Sequence, residues 1–572
     1  MSKRLSSLSL LLGLFLAFSL SAREAPNAVS KKGMVASAHP IASEIGAKIL
    51  AQGGNAVDAA IATAFALSVV EPYSSGLGGG GFMLISIAGP GKPEENVIVL
   101  DFRETAPMLA RKDLYKKDGV VVPGLSLTGH LAVAVPGQVA GLEYAYKNFG
   151  SGKLAWQELI QPAIYLAKNG FKIDREFFQR ELADLKKLKQ FPAAKKNFLK
   201  AGLPYLPGEN FIQPDLAKSL QAIAEQGAKV FYLGWIAEAI DQEMKNSGGL
   251  IRKEDLANFK VRARQPIIGT YRGIKIISMP PPSSGGICLL EILNILEGYD
   301  LGSLGFDSAQ TVRIQAEAMK LPFYDRFRYL GDPAFVRIPV EKLLSKEYAS
   351  ELRKLITDKP IPSAELSKIS PQQNSPEKFG NTTHLSVVDA KGMAVSLTQT
   401  INTNFGSGVV VPGTGILLNN EMDDFSADPG APNAYGLIQG EANAIAPGKI
   451  PLSSMSPTLV FKGDQLWLVV GSPGGPRIIT SVLQTIVNII DFRMSLPEAI
   501  SAKRIHHQWL PDQILLENGR LPISEKTRLE KDGYEIAGYF LPGNVQAILV
   551  SDDGSLIGVS DPRGIGKPAG VE

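Results

Sequence analysis

Apolar residues recur at helical spacing in two long parts of the chain. Within residues 41–70 they lie three or four positions apart, as Ala42 and Ile45 do, until Gly53-Gly54-Asn55 interrupts the pattern. This predicts two helices, and the many alanines of the second favour close packing. Residues 155–260 combine helical periodicity with many Lys and Glu, which predicts an outer layer of amphipathic helices.

Strand patterns occupy other parts of the chain. Residues 82–103 alternate, which predicts a hairpin, and residues 269–278 predict another strand. Residues 356–380 lose all periodicity and hold few large apolar groups, so we expect a mobile linker there. From residue 381 the chain is rich in strands and glycine, except for a strong helical pattern at 477–490.

The two strand patterns that follow the linker predict a hairpin. Residues 382–389 and 393–400 alternate, and the turn Ala390-Lys391-Gly392 lies between them. With a glycine bulge in the turn, the antiparallel register places Thr400 opposite Thr382, to within one residue. Two hydroxyl groups would therefore meet at the open end of the hairpin, directly after the linker.

A threonine hydroxyl needs a neighbouring base to act as a nucleophile, because its own pKa lies far above neutrality. The α-amine of the same residue can serve, since a free N-terminal amine titrates at roughly pH 8. Thr382 would gain that amine only if the Asn381–Thr382 peptide bond were broken. The alternative is that Thr382 and Thr383 are ordinary strand residues.

The first 22 residues differ from the rest of the chain. Lys3 and Arg4 precede an apolar run at residues 8–20, and small side chains follow it. This layout predicts a cleaved signal peptide, residues 1–22, and a secreted, periplasmic protein; a retained N-terminal anchor is the alternative. The remaining sequence has no other apolar stretch of membrane-spanning length, so we expect no membrane span after signal cleavage.

Composition argues against several other classes of function. The 59 basic and 56 acidic residues give a net charge of +3, too small for a protein that binds nucleic acid. The single cysteine, Cys288, cannot form an intrachain disulfide and is expected to be buried. The five histidines lack the spacing of metal ligands. A strand pattern follows the glycine motif of residues 76–81, whereas the glycine motif of a dinucleotide-binding site is followed by a helix. We therefore expect no metal and no nicotinamide or other cofactor.

The segment Thr382-Thr383-His384-Leu385-Ser386-Val387-Val388-Asp389 resembles the autoprocessing motif of the γ-glutamyltranspeptidases, a family of N-terminal-nucleophile hydrolases. The resemblance extends from about residue 27 to the C-terminus, in the family's motif order. The other matching segments are Glu71-Pro72, Ser75-Gly76-Leu77-Gly78-Gly79-Gly80-Gly81-Phe82, Asp101-Phe102-Arg103-Glu104, Asn419-Asn420-Glu421-Met422-Asp423-Asp424-Phe425, Pro451-Leu452-Ser453-Ser454-Met455-Ser456-Pro457, Gly471-Ser472-Pro473-Gly474-Gly475, Arg504-Ile505-His506-His507-Gln508-Trp509-Leu510-Pro511 and Asp561-Pro562-Arg563.

This resemblance implies an α+β fold, a four-layer αββα sandwich of the N-terminal-nucleophile hydrolase type. Self-cleavage between Asn381 and Thr382 would leave a large subunit, residues 23–381, and a small catalytic subunit, residues 382–572. The two would share one core as a heterodimer. The implied activity is hydrolysis of glutathione and other γ-glutamyl amides, with transfer of the γ-glutamyl group to amino acids, dipeptides or water.

The resemblance also implies a role for each matched residue. Thr382 would be the nucleophile, and Thr400 would contact its hydroxyl. The oxyanion hole would consist of Gly474 and Gly475. The α-ammonium group of the substrate would contact Asn402, Glu421 and Asp424, and its α-carboxylate would contact Arg103, Ser453 and Ser454. The tip of a lid loop at residues 429–440 would be Tyr435.

These residue types suit a zwitterionic substrate. A guanidinium fork matches a carboxylate, and carboxylates match an ammonium group. Adjacent glycines can present two backbone N–H groups to an oxyanion, each contributing about 3 kcal/mol. Simpler alternatives remain: Arg103 in a surface ion pair, Ser453 and Ser454 in a turn, Asp424 as a helix cap, and Gly474 and Gly475 in a plain loop.

Two other functions fit the sequence. A related acylase would cut glutaryl or cephalosporin amides, although the lid loop favours a γ-glutamyl substrate. An inactive binding homologue would keep the fold without cleavage, although every matched site residue is present. His384 would share a strand face with Thr382, so it is either a general base or a structural polar contact.

Overall fold

Two seven-stranded sheets form the centre of the computed structural model, which describes residues 24–89, 91–367, 380–538 and 542–572. The predicted signal peptide, residues 1–22, lies outside these ranges. Across the described ranges, no helix combines the length and the hydropathy that crossing a bilayer requires.

Each sheet contains strands from both sides of Thr382. In spatial order, the first sheet consists of Asn27–Ser30, Leu556–Ser560, Gln546–Val550, Gln465–Gly471, Thr458–Lys462, Ile274–Ser278 and Ile267–Tyr271. The second sheet consists of Ala569–Gly570, Gly33–Ser37, Gly380–Asp389, Ala394–Thr403, Gly80–Ser86, Val97–Asp101 and Arg262–Arg264. Neighbouring strands in both sheets are antiparallel.

Three apolar cores separate four layers. Between the sheets, Phe82 and Leu84 of the second sheet share a core with Ile277, Leu459 and Val469 of the first. Helices cover the outer face of each sheet. Because alternate strand residues face opposite sides, each sheet contributes side chains to two cores. This arrangement confirms the predicted αββα fold.

The helical layers follow the apolar periodicity of the sequence. The core outside the second sheet includes side chains from Pro40–Ala51, Ala56–Val70, Gln138–Phe149, Trp156–Asn169, Arg175–Ala183, Leu185–Gln190, Pro192–Phe198, Pro214–Gln226, Lys229–Tyr232, Trp235–Asn246 and Lys253–Ala257. The core outside the first sheet includes side chains from Gly285–Leu296, Leu301–Leu304, Ala309–Tyr329, Val340–Leu343, Lys346–Arg353, Ser363–Leu366, Arg477–Ile490, Leu496–Ser501 and Ile523–Asp532.

Most of the predicted elements are present. The hairpin predicted within residues 82–103 pairs Gly80–Ser86 with Val97–Asp101. The strand predicted at 269–278 is part of a second hairpin, because Arg272 and Gly273 both have positive φ and turn the chain back. Cys288 is buried as expected.

The prediction of a mobile linker at residues 356–380 is wrong for its first part. Its first part contains the helical turn Ser363–Leu366, and the side chains of Ile356 and Ile361 pack against the core outside the first sheet. These apolar anchors are too widely spaced to give a periodic pattern in the sequence. The rest of the predicted linker, residues 368–379, lies outside the described ranges.

Gly79 lies where the glycine motif passes the strand that carries Thr400. A Cβ added to Gly79 would lie 2.0 Å from the carbonyl oxygen of Thr400, whereas one added to Gly76 would meet nothing within 4 Å. We expect Gly79→Ala to lower the free energy of unfolding by about 1–3 kcal/mol, because the backbone itself would have to shift. Urea unfolding measures this change, with Gly76→Ala as the matched control. Equal unfolding midpoints for the two variants would contradict the close approach.

Candidate active site

The predicted hairpin forms with the predicted register. Strand Gly380–Asp389 pairs with Ala394–Thr403, and Thr382 lies directly opposite Thr400. Their hydroxyl oxygens are 3.1 Å apart, and both residues are buried. A slip of one residue would have turned one hydroxyl to the other face of the sheet. The register is therefore what brings the two hydroxyl groups together.

The hydroxyl of Thr400 uses its full hydrogen-bonding capacity. It donates its single proton to the carbonyl oxygen of Asn381 at 3.1 Å and accepts the backbone N–H of Asn402 at 2.8 Å. Because the Thr400 proton is used in the bond to Asn381, the hydroxyl of Thr382 is the donor in the bond between the two threonines. Thr400 therefore contacts both the Thr382 hydroxyl and the carbonyl group that precedes Thr382.

Arg103 follows the strand Val97–Asp101 and is buried between two acids. Its guanidinium nitrogens lie 2.6 Å from Glu421 and 2.5 Å from Asp424, and its Nε donates to the carbonyl of Pro451 at 2.8 Å. Burial alone would lower the pKa of Arg103, but the two carboxylates raise it. The alternative of a surface ion pair is therefore wrong, since the Arg103 side chain is only 1% exposed.

Glu104 adds another acid to this buried cluster. Neither of its carboxyl oxygens has a hydrogen-bond partner among the described residues. Burial and then the charge of Glu421 raise the pKa of Glu104 well above its ordinary value. Burial also raises the pKa of Glu421 to about 7, although Arg103 opposes the change. In this cluster burial therefore disfavours the charged forms of the acids, and the positive charge of Arg103 favours them.

Ten of the twelve predicted site residues line one small cavity, which we name the inner cavity. Its volume is about 20 Å³, room for about one water molecule. The ten residues are Arg103, Thr382, Thr400, Asn402, Glu421, Asp424, Tyr435, Ser453, Ser454 and Gly475. Asn381 and Gly474 instead line a larger cavity, which also includes Thr382 and which we name the outer cavity. The intact chain therefore assembles the site but leaves too little space for a glutamyl side chain.

Tyr435 lines the inner cavity and hydrogen-bonds to Asn402. Its hydroxyl lies 2.6 Å from the side-chain oxygen of Asn402 and 2.9 Å from the Asn402 carbonyl oxygen. Next to it, Asn433 donates to Asp424 at 3.2 Å and accepts the N–H of Tyr435 at 3.0 Å. The tip of the loop is thus tied to one of the acids that hold Arg103. The Asn402 oxygen, predicted to meet a substrate ammonium group, is occupied by Tyr435.

Ser453 and Ser454 lie in the inner cavity on a segment fixed by buried hydrogen bonds. The carbonyl oxygen of Ser453 accepts both the N–H of Ser284 at 2.8 Å and its hydroxyl at 2.7 Å. Arg326 in turn donates its Nε to the Ser284 hydroxyl at 3.0 Å. The two serines therefore occupy a supported position beside Arg103.

Gly474 and Gly475 lead into the helix Arg477–Ile490. Both have positive φ, 133° and 59°, which favours glycine. A Cβ on Gly475 would also lie 2.6 Å from the ring of Tyr435. The N-terminal end of a helix favours negative charge, so the backbone here suits an anion that develops beside Thr382.

The ring of His384 hydrogen-bonds to Thr398 at 2.8 Å and to Ser386 at 3.2 Å, rather than to Thr382. Burial lowers its pKa to about 3, so the ring is neutral at physiological pH. Of the two roles that the sequence left open for His384, the structural polar contact fits these bonds.

Two buried acids, Glu71 and Glu104, were not predicted as site residues from the sequence. Glu71 ends the apolar helix Ala56–Val70, and the Thr383 hydroxyl donates to it at 2.8 Å. Burial and then the charge of Glu176 raise the pKa of Glu71 to about 8. Glu71 directly follows a strongly apolar run, which is the sequence signal that could have marked it as a buried charge.

Known proteins resemble this chain over almost its whole length. A family model described as Gamma-glutamyltranspeptidase matches residues 42–571. The glutathione hydrolase proenzyme of Escherichia coli K12 is 48% identical over 543 residues, covering 94% of this chain and 91% of that protein. The glutathione hydrolase proenzyme of Pseudomonas aeruginosa PAO1 is 44% identical over 542 residues, covering 93% of this chain and 94% of that protein. The crystal structure of cephalosporin acylase from Bacillus halodurans matches with a TM-score of 0.83 at 31% identity. The match covers 96% of this chain and 97% of that one.

We expect Glu71 to make the folded protein less stable as the pH rises from about 5 to 8. With a pKa raised to about 8, Glu71 keeps its proton in the folded state, whereas the unfolded chain releases it near 4.5. The unfolded state then binds fewer protons, so the free energy of unfolding falls with pH by up to about 1.4 kcal/mol per unit. Glu71→Gln should flatten this dependence in urea unfolding, whereas exposed Glu365→Gln should not. Equal slopes for wild type and Glu71→Gln would contradict the shift.

Proposed function

This chain belongs to the gamma-glutamyltranspeptidase family, and we propose that it is a self-processing glutathione hydrolase whose nucleophile is Thr382. The chain cuts its own Asn381–Thr382 bond. Thr382 then attacks glutathione and other γ-glutamyl amides. The γ-glutamyl group passes from Thr382 to water, an amino acid or a dipeptide.

The observation that carries this proposal is the double contact of the Thr400 hydroxyl. It lies 3.1 Å from both the Thr382 hydroxyl and the Asn381 carbonyl oxygen. A proton donated to that carbonyl polarises it towards attack by Thr382 Oγ. The peptide C–N bond breaks as an ester forms, and water then hydrolyses the ester. The products are an Asn381 carboxylate and a free α-amine on Thr382.

After cleavage, the α-amine of Thr382 is the base nearest to its own hydroxyl. It takes the hydroxyl proton as Oγ attacks the γ-carbonyl carbon of the substrate. The backbone N–H groups of Gly474 and Gly475 support the negative oxygen that develops. The proton then passes to the leaving amine, and the reverse sequence releases the γ-glutamyl group to water or an acceptor amine.

The ion pairs of Arg103 support recognition of the glutamyl end of the substrate. A buried charge that loses its partner costs about 3–5 kcal/mol. A γ-glutamyl group brings a carboxylate for Arg103, Ser453 and Ser454, and an ammonium group for Glu421, Asp424 and Asn402. Every buried charge therefore stays paired when this zwitterion binds. A substrate without the ammonium group would leave the two acids short of a cation.

Access to the inner cavity requires movement, since its present volume is about that of one water molecule. We propose that Tyr435 releases Asn402 when substrate enters, as the tip of a lid. Cleavage gives a large subunit ending at Asn381 and a small subunit beginning at Thr382. The two stay associated because both sheets interleave strands from the two parts.

Several further features fit this function. The N-terminal residues 1–22 have the composition of a signal peptide, which supports a periplasmic location. The relatives at 44–48% identity are named glutathione hydrolase proenzymes, whereas relatives named acylase proenzymes share 39–40%. A γ-glutamyl substrate is therefore favoured over the acylase alternative, and the complete set of charged site residues argues against an inactive binding protein.

Substitution of Thr382 tests the proposal. Thr382→Ala should leave one uncut band on a denaturing gel and abolish hydrolysis of γ-glutamyl-p-nitroanilide, because both reactions need the hydroxyl. Thr382→Ser keeps a hydroxyl and an α-amine and should still mature, more slowly. Thr383→Val is the matched control, since the Thr383 hydroxyl faces Glu71 instead. Hydrolysis by Thr382→Ala would remove Thr382 from the mechanism.

Substrate preference tests the role of the acids. We expect the enzyme to prefer γ-glutamyl-p-nitroanilide to glutaryl-p-nitroanilide by at least about tenfold in kcat/KM, because only the former carries an ammonium group for Glu421 and Asp424. Asp424→Asn should reduce that ratio. Asp428→Asn, which removes a carboxylate paired with Lys116, should leave it unchanged. A wild-type preference for the glutaryl compound would favour the acylase alternative.

A further inference from the structure

A buried segment of the chain, residues 280–286, packs against Ser453 without lining either cavity. Its sequence is Pro-Pro-Pro-Ser-Ser-Gly-Gly, and it connects the strand Ile274–Ser278 to the helix Gly285–Leu296. The segment precedes Thr382 in the chain, whereas Ser453 follows it. Residues 280–286 therefore form a contact between the two subunits that cleavage would create, and we name them the serine support.

Four hydrogen bonds join the serine support to the chain around Ser453. The N–H of Ser453 donates to the Pro282 carbonyl at 2.9 Å. The Ser453 carbonyl accepts the N–H of Ser284 at 2.8 Å and the Ser284 hydroxyl at 2.7 Å. The Ser283 hydroxyl donates to the Met455 carbonyl at 2.7 Å. Both backbone polar groups of Ser453 are thus bonded to the support, which fixes the position from which its side chain projects.

The hydroxyl of Ser453 faces the inner cavity from this fixed position. It accepts the N–H of Met455 at 3.0 Å, and the residue lines the cavity together with Ser454 and Arg103. A hydroxyl can accept and donate at the same time, so the Ser453 proton can be donated to a ligand in the cavity. Under the proposed function, the acceptor is an oxygen of the substrate α-carboxylate.

Arg326 braces the serine support from the helix Ala309–Tyr329. Arg326 is buried, and its Nε donates to the Ser284 hydroxyl oxygen at 3.0 Å. Ser284 in turn donates its own proton to the carbonyl oxygen of Ser453. The three residues therefore form one chain of hydrogen bonds that begins at a positive charge, which strengthens the Ser284 hydroxyl as a donor.

The charge of Arg326 also reaches the inner cavity. Burial raises the pKa of Asp424, and the positive charges of Arg103 and then Arg326 oppose this rise. Arg326 does not line the cavity itself, so it acts on a ligand there only through its field and through Ser284. Both effects favour a negatively charged group beside Ser453.

We propose that Ser284 and Arg326 are positioning residues for the α-carboxylate of the γ-glutamyl group. They hold Ser453 in the orientation that receives this carboxylate before the substrate arrives. Binding then orders fewer groups than it would with a mobile serine, so the site binds the carboxylate more tightly. This inference rests on the proposed function, and it adds two residues of the large subunit to a site whose serines belong to the small subunit.

Replacement of Ser284 by Ala tests the inference, because it removes two hydrogen bonds of the chain and leaves every cavity-lining residue in place. We expect Ser284→Ala to raise the KM for γ-glutamyl-p-nitroanilide and the inhibition constant of L-glutamate by about fivefold each, since both ligands carry the α-carboxylate. The kcat and the rate of self-cleavage should stay within about twofold of wild type, because neither chemical step uses that carboxylate.

Two further variants and a matched control accompany Ser284→Ala. Arg326→Gln should raise the same KM, and Arg326→Lys should raise it less because the charge is kept. Ser219→Ala is the control. Ser219 is also a buried serine of the large subunit, and its hydroxyl donates to the Thr414 carbonyl of the small subunit at 2.7 Å. Its replacement should leave KM and kcat at their wild-type values.

An unchanged KM in Ser284→Ala would overturn the inference. An equal loss in kcat and in the rate of self-cleavage would also overturn it, because the support would then have a purely structural role. If Ser284→Ala does not mature, the KM values of Arg326→Gln and Arg326→Lys decide the question. Failure of the wild-type enzyme to hydrolyse γ-glutamyl-p-nitroanilide would instead contradict the proposed function.

Discussion

The strand register between Gly380–Asp389 and Ala394–Thr403 is the constraint on which the site depends. It sets the Thr382 hydroxyl against the Thr400 hydroxyl and leaves Thr400 within hydrogen-bond distance of the Asn381 carbonyl. Since side chains alternate along a strand, a slip of one residue would remove both contacts. The pairing is held on each side, by Gly33–Ser37 and by Gly80–Ser86, so the hairpin is an interior part of a buried sheet.

The buried ion pairs of Arg103 are the second main feature of the site. Arg103 pairs with Glu421 and Asp424 at a cavity of about 20 Å³, and the Tyr435 hydroxyl donates to Asn402 in the same cavity. In the intact chain the charges of this cavity are paired with one another. Under the proposed function, substrate binding would exchange one set of ion pairs for another instead of creating new buried charge.

The sequence predicted the elements whose patterns are local. Alternation and the turn at residues 390–392 placed Thr400 opposite Thr382 to within one residue, and a strong apolar period marked the helix Arg477–Ile490. The pairing of Arg103 with Glu421 was not predictable from spacing, because 318 residues separate them and only the tertiary fold joins them. Their grouping as site residues came from the family resemblance, which gave roles but no contacts. The turn at Arg272 and the buried position of Glu71 were missed because neither changes the periodicity around it.

The most direct test of this account is the mass and the N-terminal sequence of the chains in purified, active enzyme. The account predicts two chains that remain associated, the smaller of which begins Thr382-Thr383-His384 with a free α-amine. Hydrolysis of glutathione by protein in which Asn381 and Thr382 are still joined would contradict it, because the nucleophile would then lack the base that cleavage creates.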